Sequence, residues 1–177
     1  RVLFRSNLLF SYINPAHEQA VRAQLAALLP GLPISISYDV LPKWKEYERA
    51  STTLADAYIK PVLQRYLSTL RERLDERGVR APLALIKSNG GEMSLAAARE
   101  QPVQLTLSGP TGGVVAARAV AEELSIARAV TLDMGGTSTD CSTVVDGQIS
   151  FTTDFEIEFG LPIQIPMIDI QIGRAHV

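Results

Sequence analysis

The sequence predicts an α/β fold built on a mixed sheet, and three observations carry the prediction. Short apolar runs alternate with segments of helical periodicity, as in residues 7–12, the helical stretch after Asn14-Pro15, and residues 34–38. A glycine-rich stretch, residues 108–113, leads out of an apolar run and into a helical one. A second stretch, Asp133-Met134-Gly135-Gly136-Thr137-Ser138-Thr139-Asp140, lies between two runs of strand character, which makes it the connection of an antiparallel hairpin.

Taken in order, residues 7–12 are apolar and read as a strand. Asn14 offers an N-cap and Pro15 a first helical residue. Ala20, Val21, Gln24, Leu25, Leu28 and Leu29 then keep helical spacing up to Pro30-Gly31. His17 falls in the first turn, where a solvated side chain is the plain reading. Residues 34–38 alternate strictly, so 7–40 read as a strand-helix-strand unit, the C-terminal part of an upstream α/β domain. Residues 41–50, with Pro42, Trp44 and several charges, read as a hinge between domains.

Ser51, Thr52 and Thr53 offer capping groups to a long helix. Its apolar stripe of Leu54, Tyr58, Ile59, Val62, Leu63, Tyr66, Leu67, Leu70 and Leu74 is expected to pack, and the face with Arg65, Arg71 and Glu72 to be solvated. Pro61 is expected to kink or divide this helix and Gly78 to end it. Residues 82–86 form a short strand that ends in Lys87-Ser88-Asn89-Gly90-Gly91. Polar loops at strand ends are where open α/β sheets bind ligands; a plain turn is the equal alternative. Residues 94–99 read as a short helix and 103–107 as a strand. The loop Ser108-Gly109-Pro110-Thr111-Gly112-Gly113 feeds a helix over 114–124, either as an anion site without a Walker lysine or as a close-packing device. The two readings are compatible.

The hairpin carries the most chemistry. Gly135 and Gly136 let backbone N–H groups approach an anion with no Cβ in the way. Thr137, Ser138 and Thr139 offer hydroxyl donors to phosphate oxygens. Asp133 and Asp140 can hold a hydrated magnesium ion or orient a water. A strand, not a helix, follows this loop, which separates it from Walker and dinucleotide loops. Its form, Asp-x-Gly-Gly-Thr-x-x-Asp, resembles the phosphate loops of the actin, sugar-kinase and Hsp70 ATPase superfamily. Asp146-Gly147 is a two-residue hairpin turn, and residues 148–153 make a third strand. Residues 154–158 carry three acids, read as a solvated edge, and Pro162 and Pro166 interrupt the apolar run that follows.

Composition narrows the classes. A chain of 177 residues with 46% hydrophobic content builds a core of one domain or parts of two. A net charge of −2 points to neither nucleic acid nor an anionic membrane as partner. One cysteine leaves no disulfide framework and no cysteine zinc cluster, so a reducing, cytoplasmic setting is expected. The ends, 1–6 and 172–177, read like translated sequencing adapters flanking an internal piece of a longer protein. His17 is then the only histidine for acid–base work, and Cys141, at a strand start, reads as packing.

Taken together, Asn14-Pro15-Ala16-His17-Glu18, Glu48-Arg49-Ala50-Ser51-Thr52-Thr53, Ser88-Asn89-Gly90-Gly91, the Ser108–Gly113 segment (numbered 108–113) and the 133–140 loop resemble the hydantoinase A/5-oxoprolinase family, which includes acetone carboxylase β-subunit-like proteins. The resemblance covers residues 7–171; Thr111 and Cys141 stand where Ala and Val are expected. It implies an actin-like (ribonuclease H-like) ATPase fold, present in part, with residues 51–171 the first part of the ATPase domain and the hairpin its second phosphate loop. It implies ATP and Mg2+ as cofactors. Asp133 and Asp140 would be the catalytic residues, with Asp133 as metal ligand. Gly135, Gly136, Thr137, Ser138, Thr139, Asn89, Gly90, Gly91, Gly109, Gly112 and Gly113 would line the cofactor. The implied reaction is ATP-dependent activation of a carbonyl oxygen in a cyclic amide or ketone, with a hydantoinase B-type partner subunit and no turnover by this stretch alone. A regulatory, nucleotide-binding lobe and an acetone carboxylase-type subunit are the alternatives.

Overall fold

The computed structural model describes residues 4–136, 138–153, 155–157 and 160–173. Two units form: Arg1–Ala84 with Ser94–Gln104 and Asp154–Ile165, and Leu85–Met93 with Leu105–Thr153 and Pro166–Val177. Strand pairs of both senses occur, giving an α/β fold with mixed sheets.

The first unit opens with β1 (Phe4–Ser6), which pairs in parallel with β2 (Ile34–Ile36) across α1 (Ala16–Leu28). The expected strand over 7–12 is instead a series of turns. There Glu18 accepts the Leu8 N–H at 2.8 Å and Arg49 gathers the Leu8 and Leu9 carbonyls, which leaves no extended edge to pair. The N-cap of α1 is Pro15, one residue later than expected, and Asn14 contributes from just before it, its Oδ1 accepting the Ala16 N–H at 3.1 Å. His17 is exposed. β2 ends at Ile36 and turns into α2 (Ser37–Val40), because the buried Glu18 carboxylate accepts from Ser37 Oγ at 2.9 Å and from the Tyr38 N–H at 3.0 Å.

Helix α3 (Glu46–Glu76) starts earlier than expected and is assigned without a break through Pro61. Gly78, at φ +78°, closes it as expected, with its N–H on the Asp75 carbonyl and the Val79 N–H on the Leu74 carbonyl. Leu67 of the expected stripe is buried, at 1% exposure, but the rest of the packed face differs from the expected one. Arg49, Ser51, Thr52, Thr53, Asp56, Ala57 and Lys60 are buried, whereas Tyr58, Val62 and Tyr66 are 71%, 61% and 59% exposed. Polar side chains go inward because each finds a partner. Thr52 Oγ1, for example, donates to the Glu48 carbonyl and accepts the Gln164 N–H at 3.0 Å.

β3 (Ala84–Ile86) and β4 (Glu92–Ser94) pair with each other, and α4 (Leu95–Glu100) follows, capped by Ser94 Oγ. The strand expected over 103–107 is a 3-10 turn, Pro102–Leu105. The Val103 N–H is donated to the buried Asp56 carboxylate at 3.2 Å, a bond that takes it out of any ladder. In the second unit, α5 (Ser108–Glu123) packs on the antiparallel pair β5 (Arg128–Met134) and β6 (Thr139–Val145). Asp146 and Gly147, both at positive φ, turn the chain into β7 (Gln148–Ile149), and β8 (Phe151–Thr152) follows, so the expected third strand is divided in two. β9 (Phe155–Ile157) and β10 (Leu161–Ile163) form a hairpin of the first unit. Of the three acids over 154–158, only Glu156 lies within the described residues. β11 (Met167–Ile168) pairs with β8 and β12 (Gln171–Gly173) with β6. The core of the second unit is Val114, Val144, Ile149, Ile168 and Ile170.

Candidate functional site

The β5–β6 ladder runs from Arg128 opposite Val145 to Met134 opposite Thr139. Beyond it the Gly135 N–H bonds the Ser138 carbonyl at 2.9 Å. The ladder therefore reaches Met134 and Thr139, so fewer residues connect the strands than the stretch 133–140 suggested. Thr139 and Asp140 belong to β6 and Asp133 to β5. The Gly135 amide is committed within the turn, so it is not a free anion donor. Thr137 lies outside the described residues.

The shortened turn sets the two carboxylates face to face. Asp133 and Asp140 are direct cross-strand partners, which places their Cβ atoms on one face of the sheet, about 5 Å apart. Alternation puts Thr131 and Ala129 on that same face, with Ala129 packed on the core beneath α5. Between this face and α5 is a pocket of about 320 Å³, lined by Pro110, Gly113, Val114 and Ala117 from the helix, by Thr131, Leu132, Asp133 and Asp140 from the hairpin, and by Ile170. Asp140 Oδ1 is shielded from solvent and has no hydrogen-bond partner among the described residues. Like charges placed opposite one another destabilise a strand pair, and a buried, unpaired carboxylate oxygen adds to the cost. Such a pair suits a cation. No third His, Cys, Asp or Glu among the described residues joins it to complete a metal cluster. Mg2+ fits a two-carboxylate donor set, since it keeps several waters and takes its remaining ligands from phosphate oxygens.

The other expected site residues divide. Ser108 to Gly113 is not a loop before a helix but the first turns of α5, entered from Leu107 in the left-handed region at φ +60°. A Cβ on Gly112 would lie 3.3 Å from Ile86 Cδ1, so this glycine permits close packing. A Cβ on Gly109 or Gly113 would meet nothing within 4 Å. Asn89, Gly90 and Gly91 form a closed turn: Lys87 N–H to Gly91 carbonyl at 2.7 Å, Gly90 N–H to Lys87 carbonyl at 2.9 Å, and Gly91 N–H to Asn89 Oδ1 at 3.0 Å. A Cβ at Gly90 would come within 3.0 Å of Val115 Cγ2. These bonds give the turn its shape, and none of the three residues is among those that line this pocket.

Sequence reasoning missed Thr131 and Ala117 as lining residues, although period-2 spacing from Asp133 points to the first. It also missed a buried polar set in the first unit. Asp56 accepts from Ser35 Oγ at 2.6 Å and pairs with Lys60 Nζ at 3.3 Å. Burial pushes the Asp56 carboxyl up, against the pull of the Lys60 ammonium and of hydrogen bonds from Ser35 and Val103. No helix among the described residues is long and apolar enough to cross a membrane.

Comparison with known proteins identifies the family. The caprolactamase subunit alpha of Pseudomonas jessenii is 34% identical over 93% of this chain and 24% of its own length. The crystal structure of that organism's ATP-dependent caprolactamase superposes with a TM-score of 0.78 at 35% identity, over 92% of this chain and 23% of that one. A nucleotide-free acetone carboxylase structure, described in connection with ATP-dependent acetone carboxylation, gives a TM-score of 0.84 at 27% identity, over 97% of this chain and 24% of that one. The 5-oxoprolinase of Saccharomyces cerevisiae is 31% identical over 94% of this chain and 13% of its own length. The chain thus spans about a quarter of the length of the first relatives it matches, and less of others. Since residues 49–173 match the family model for hydantoinase/oxoprolinase, the chain belongs to the hydantoinase/oxoprolinase family of enzymes.

Proposed function

We propose that this chain supplies part of the nucleotide site of an ATP-dependent enzyme that opens cyclic amides. The observation that carries the reading is the facing pair Asp133 and Asp140 in the lining of the α5–hairpin pocket, with Asp140 Oδ1 unpaired among the described residues. The two carboxylates would hold a hydrated Mg2+, with Asp133 as the direct ligand. Without that ion the pocket repels phosphate; with it, the local charge reverses. Ser138 and Thr139 belong to this reading as hydroxyl donors to the phosphate; Thr131 is the hydroxyl-bearing residue that lines the pocket itself. ATP, when bound, supplies the phosphoryl group that activates a carbonyl oxygen toward water. Positioning and charge neutralisation are then what the protein contributes, which suits a site without histidine or a reactive cysteine. An actin-like ATPase lobe with the hairpin as one phosphate loop, and a hydantoinase B-type partner subunit, belong to the same proposal.

The acetone carboxylase likeness favours a second reading, a ketone in place of the cyclic amide. One assay separates them. ADP release by the full-length protein is followed with hydantoin, 5-oxoproline, or acetone plus bicarbonate, in wild type and in Asp133→Ala. Stimulation by a cyclic amide that is lost in the variant is expected. Stimulation by acetone and bicarbonate selects the ketone reading. Nucleotide binding that no substrate stimulates points to a regulatory lobe and overturns the hydrolase.

A further inference from the structure

A second pocket, inside the first unit, holds a buried cation that the fold does not fully use. Its volume is about 250 Å³, near the lower end for sites that take small organic molecules. Lys60 of α3 lines its deep side, with a side chain only 5% exposed. The ammonium carries three N–H bonds but has two acceptors among the described residues, the Asp56 carboxylate and the Ile34 carbonyl, each at 3.3 Å. Burial favours the protonated form of Asp56, so the lysine is incompletely compensated from behind. A buried cation that served the fold alone would spend all its donors within it. The walls are apolar: Ile34 and Ile36, two positions apart and so on one face of β2, and Val40 of α2. The rim is polar and exposed. Arg22 and Asp39 pair there and offset one another, whereas Glu100 makes no ion pair among the described residues.

We infer that this pocket binds a small amino acid whose carboxylate and ammonium are separated by methylene groups, with the carboxylate on Lys60 and the ammonium at Glu100. A simple anion would meet uncompensated acid at the rim, and a simple amine would meet a cation at depth. A zwitterion with an apolar spacer matches both ends and the wall between them. The Gln101 amide, which donates one N–H to the Asp39 carbonyl at 2.8 Å, lines the same pocket and has a second to offer. None of these residues lines the α5–hairpin pocket. The choice among such ligands rests on the cyclic-amide reading above. Adding water across the ring C–N bond leaves the carbonyl carbon as a carboxylate and the ring nitrogen as an ammonium, which is an amino acid of this form. The pocket is then a site for the product of ring opening, apart from the nucleotide.

The test is calorimetry on the full-length protein with ε-aminocaproate, caproate and hexylamine, in wild type, Lys60→Met and Glu100→Gln. Wild type is expected to bind ε-aminocaproate about threefold more tightly than caproate, the effect of one exposed ion pair, and about tenfold or more tightly than hexylamine. Lys60→Met should weaken both carboxylates about tenfold or more. Glu100→Gln should bring ε-aminocaproate down to the affinity of caproate and leave caproate no weaker. ε-Aminocaproate binding that neither variant changes lies elsewhere and overturns the inference, as does a wild-type protein that binds none of the three probes. Should Lys60→Met not melt cooperatively, Glu100→Gln decides, since it alters an exposed side chain. Binding of ε-aminocaproate with the expected variant effects, by a protein whose ADP release no cyclic amide stimulates, upholds this site and removes the cyclic-amide reading. Stimulation without binding does the reverse.

Discussion

Arg49 offers the sharpest test of how the first unit is held. Its side chain is fully buried. Nε donates to Asn7 Oδ1 at 2.8 Å, one Nη to the Lys43 carbonyl, and the other Nη to the carbonyls of Leu8 and Leu9 at 2.8 and 3.0 Å. The guanidinium also lies 5.3 Å from the centre of the Tyr12 ring. Four acceptors from two chain segments, residues 7–9 and Lys43, thus converge on one planar fork. Hydrogen bonds to a charged donor are each worth about 1.5–3 kcal/mol when well buried. The acceptors here are only part-buried and rehydrate in part, so about 1 kcal/mol apiece is appropriate, with about 0.5 kcal/mol from the ring. Arg49→Ala should cost about 4.5 kcal/mol on this reckoning, a large share of the stability of an ordinary domain. Arg49→Lys should recover about half, because a point-like ammonium cannot span Asn7, Lys43 and the 8–9 segment together. Urea unfolding followed by tryptophan fluorescence reads both. Trp44, the only tryptophan, is the neighbour of Lys43 and should report loosening of that segment. A cost below about 1 kcal/mol for Arg49→Ala, at unchanged m-value, would refute the reasoning and show that water replaces the guanidinium without penalty.

Two further predictions concern carboxylates. Asp140→Asn removes half of the facing charge pair, so the melting temperature without metal should rise, while the increment produced by adding Mg2+ with ADP should vanish; thermal melts with and without MgADP test both halves. Asp56 titrates above its usual value in the folded chain because of burial, so the native state holds its proton more tightly than the unfolded state. Stability from this group is therefore complete below the ordinary carboxylate value and declines as pH rises through the elevated one. Asp56→Asn should flatten that portion of a stability-against-pH curve measured by urea midpoint.

Much of the second unit was legible in the sequence, and the reasons are local. The Asp146-Gly147 turn, the run into Asp133 and the alternation after Asp140 are decided by residues within two or three positions of one another. The carboxylate pair follows from that register alone. The errors arose where distant partners overrode local preference. Residues 103–107 have strand character, yet Asp56, 47 positions earlier, takes the Val103 amide. The apolar stripe of α3 suggested a core-facing surface. The polar set from Arg49 to Lys60 goes inward instead, because Asn7, Lys43, Ile34, Ser35 and Gln164 supply its partners. Ser108 to Gly113 looked like a loop because glycine and proline usually punctuate. In the first turns of a helix, proline lacks only a donor that would be unpaired there in any case.

The position of β5 has a consequence for handling the chain. Among the described residues it pairs on one side only, and Val130, Leu132 and Met134 stand exposed along it. A long, apolar, half-paired strand is a template for self-assembly. Parallel, in-register addition of a second copy would stack Arg128 on Arg128 and Asp133 on Asp133 at about 4.8 Å, a repulsion on either side of Val130 and Leu132. Asp133 therefore also serves as a gatekeeper against fibre growth. Neutralising it to probe the nucleotide site removes that protection as well, and solubility should be monitored alongside affinity in any Asp133 variant.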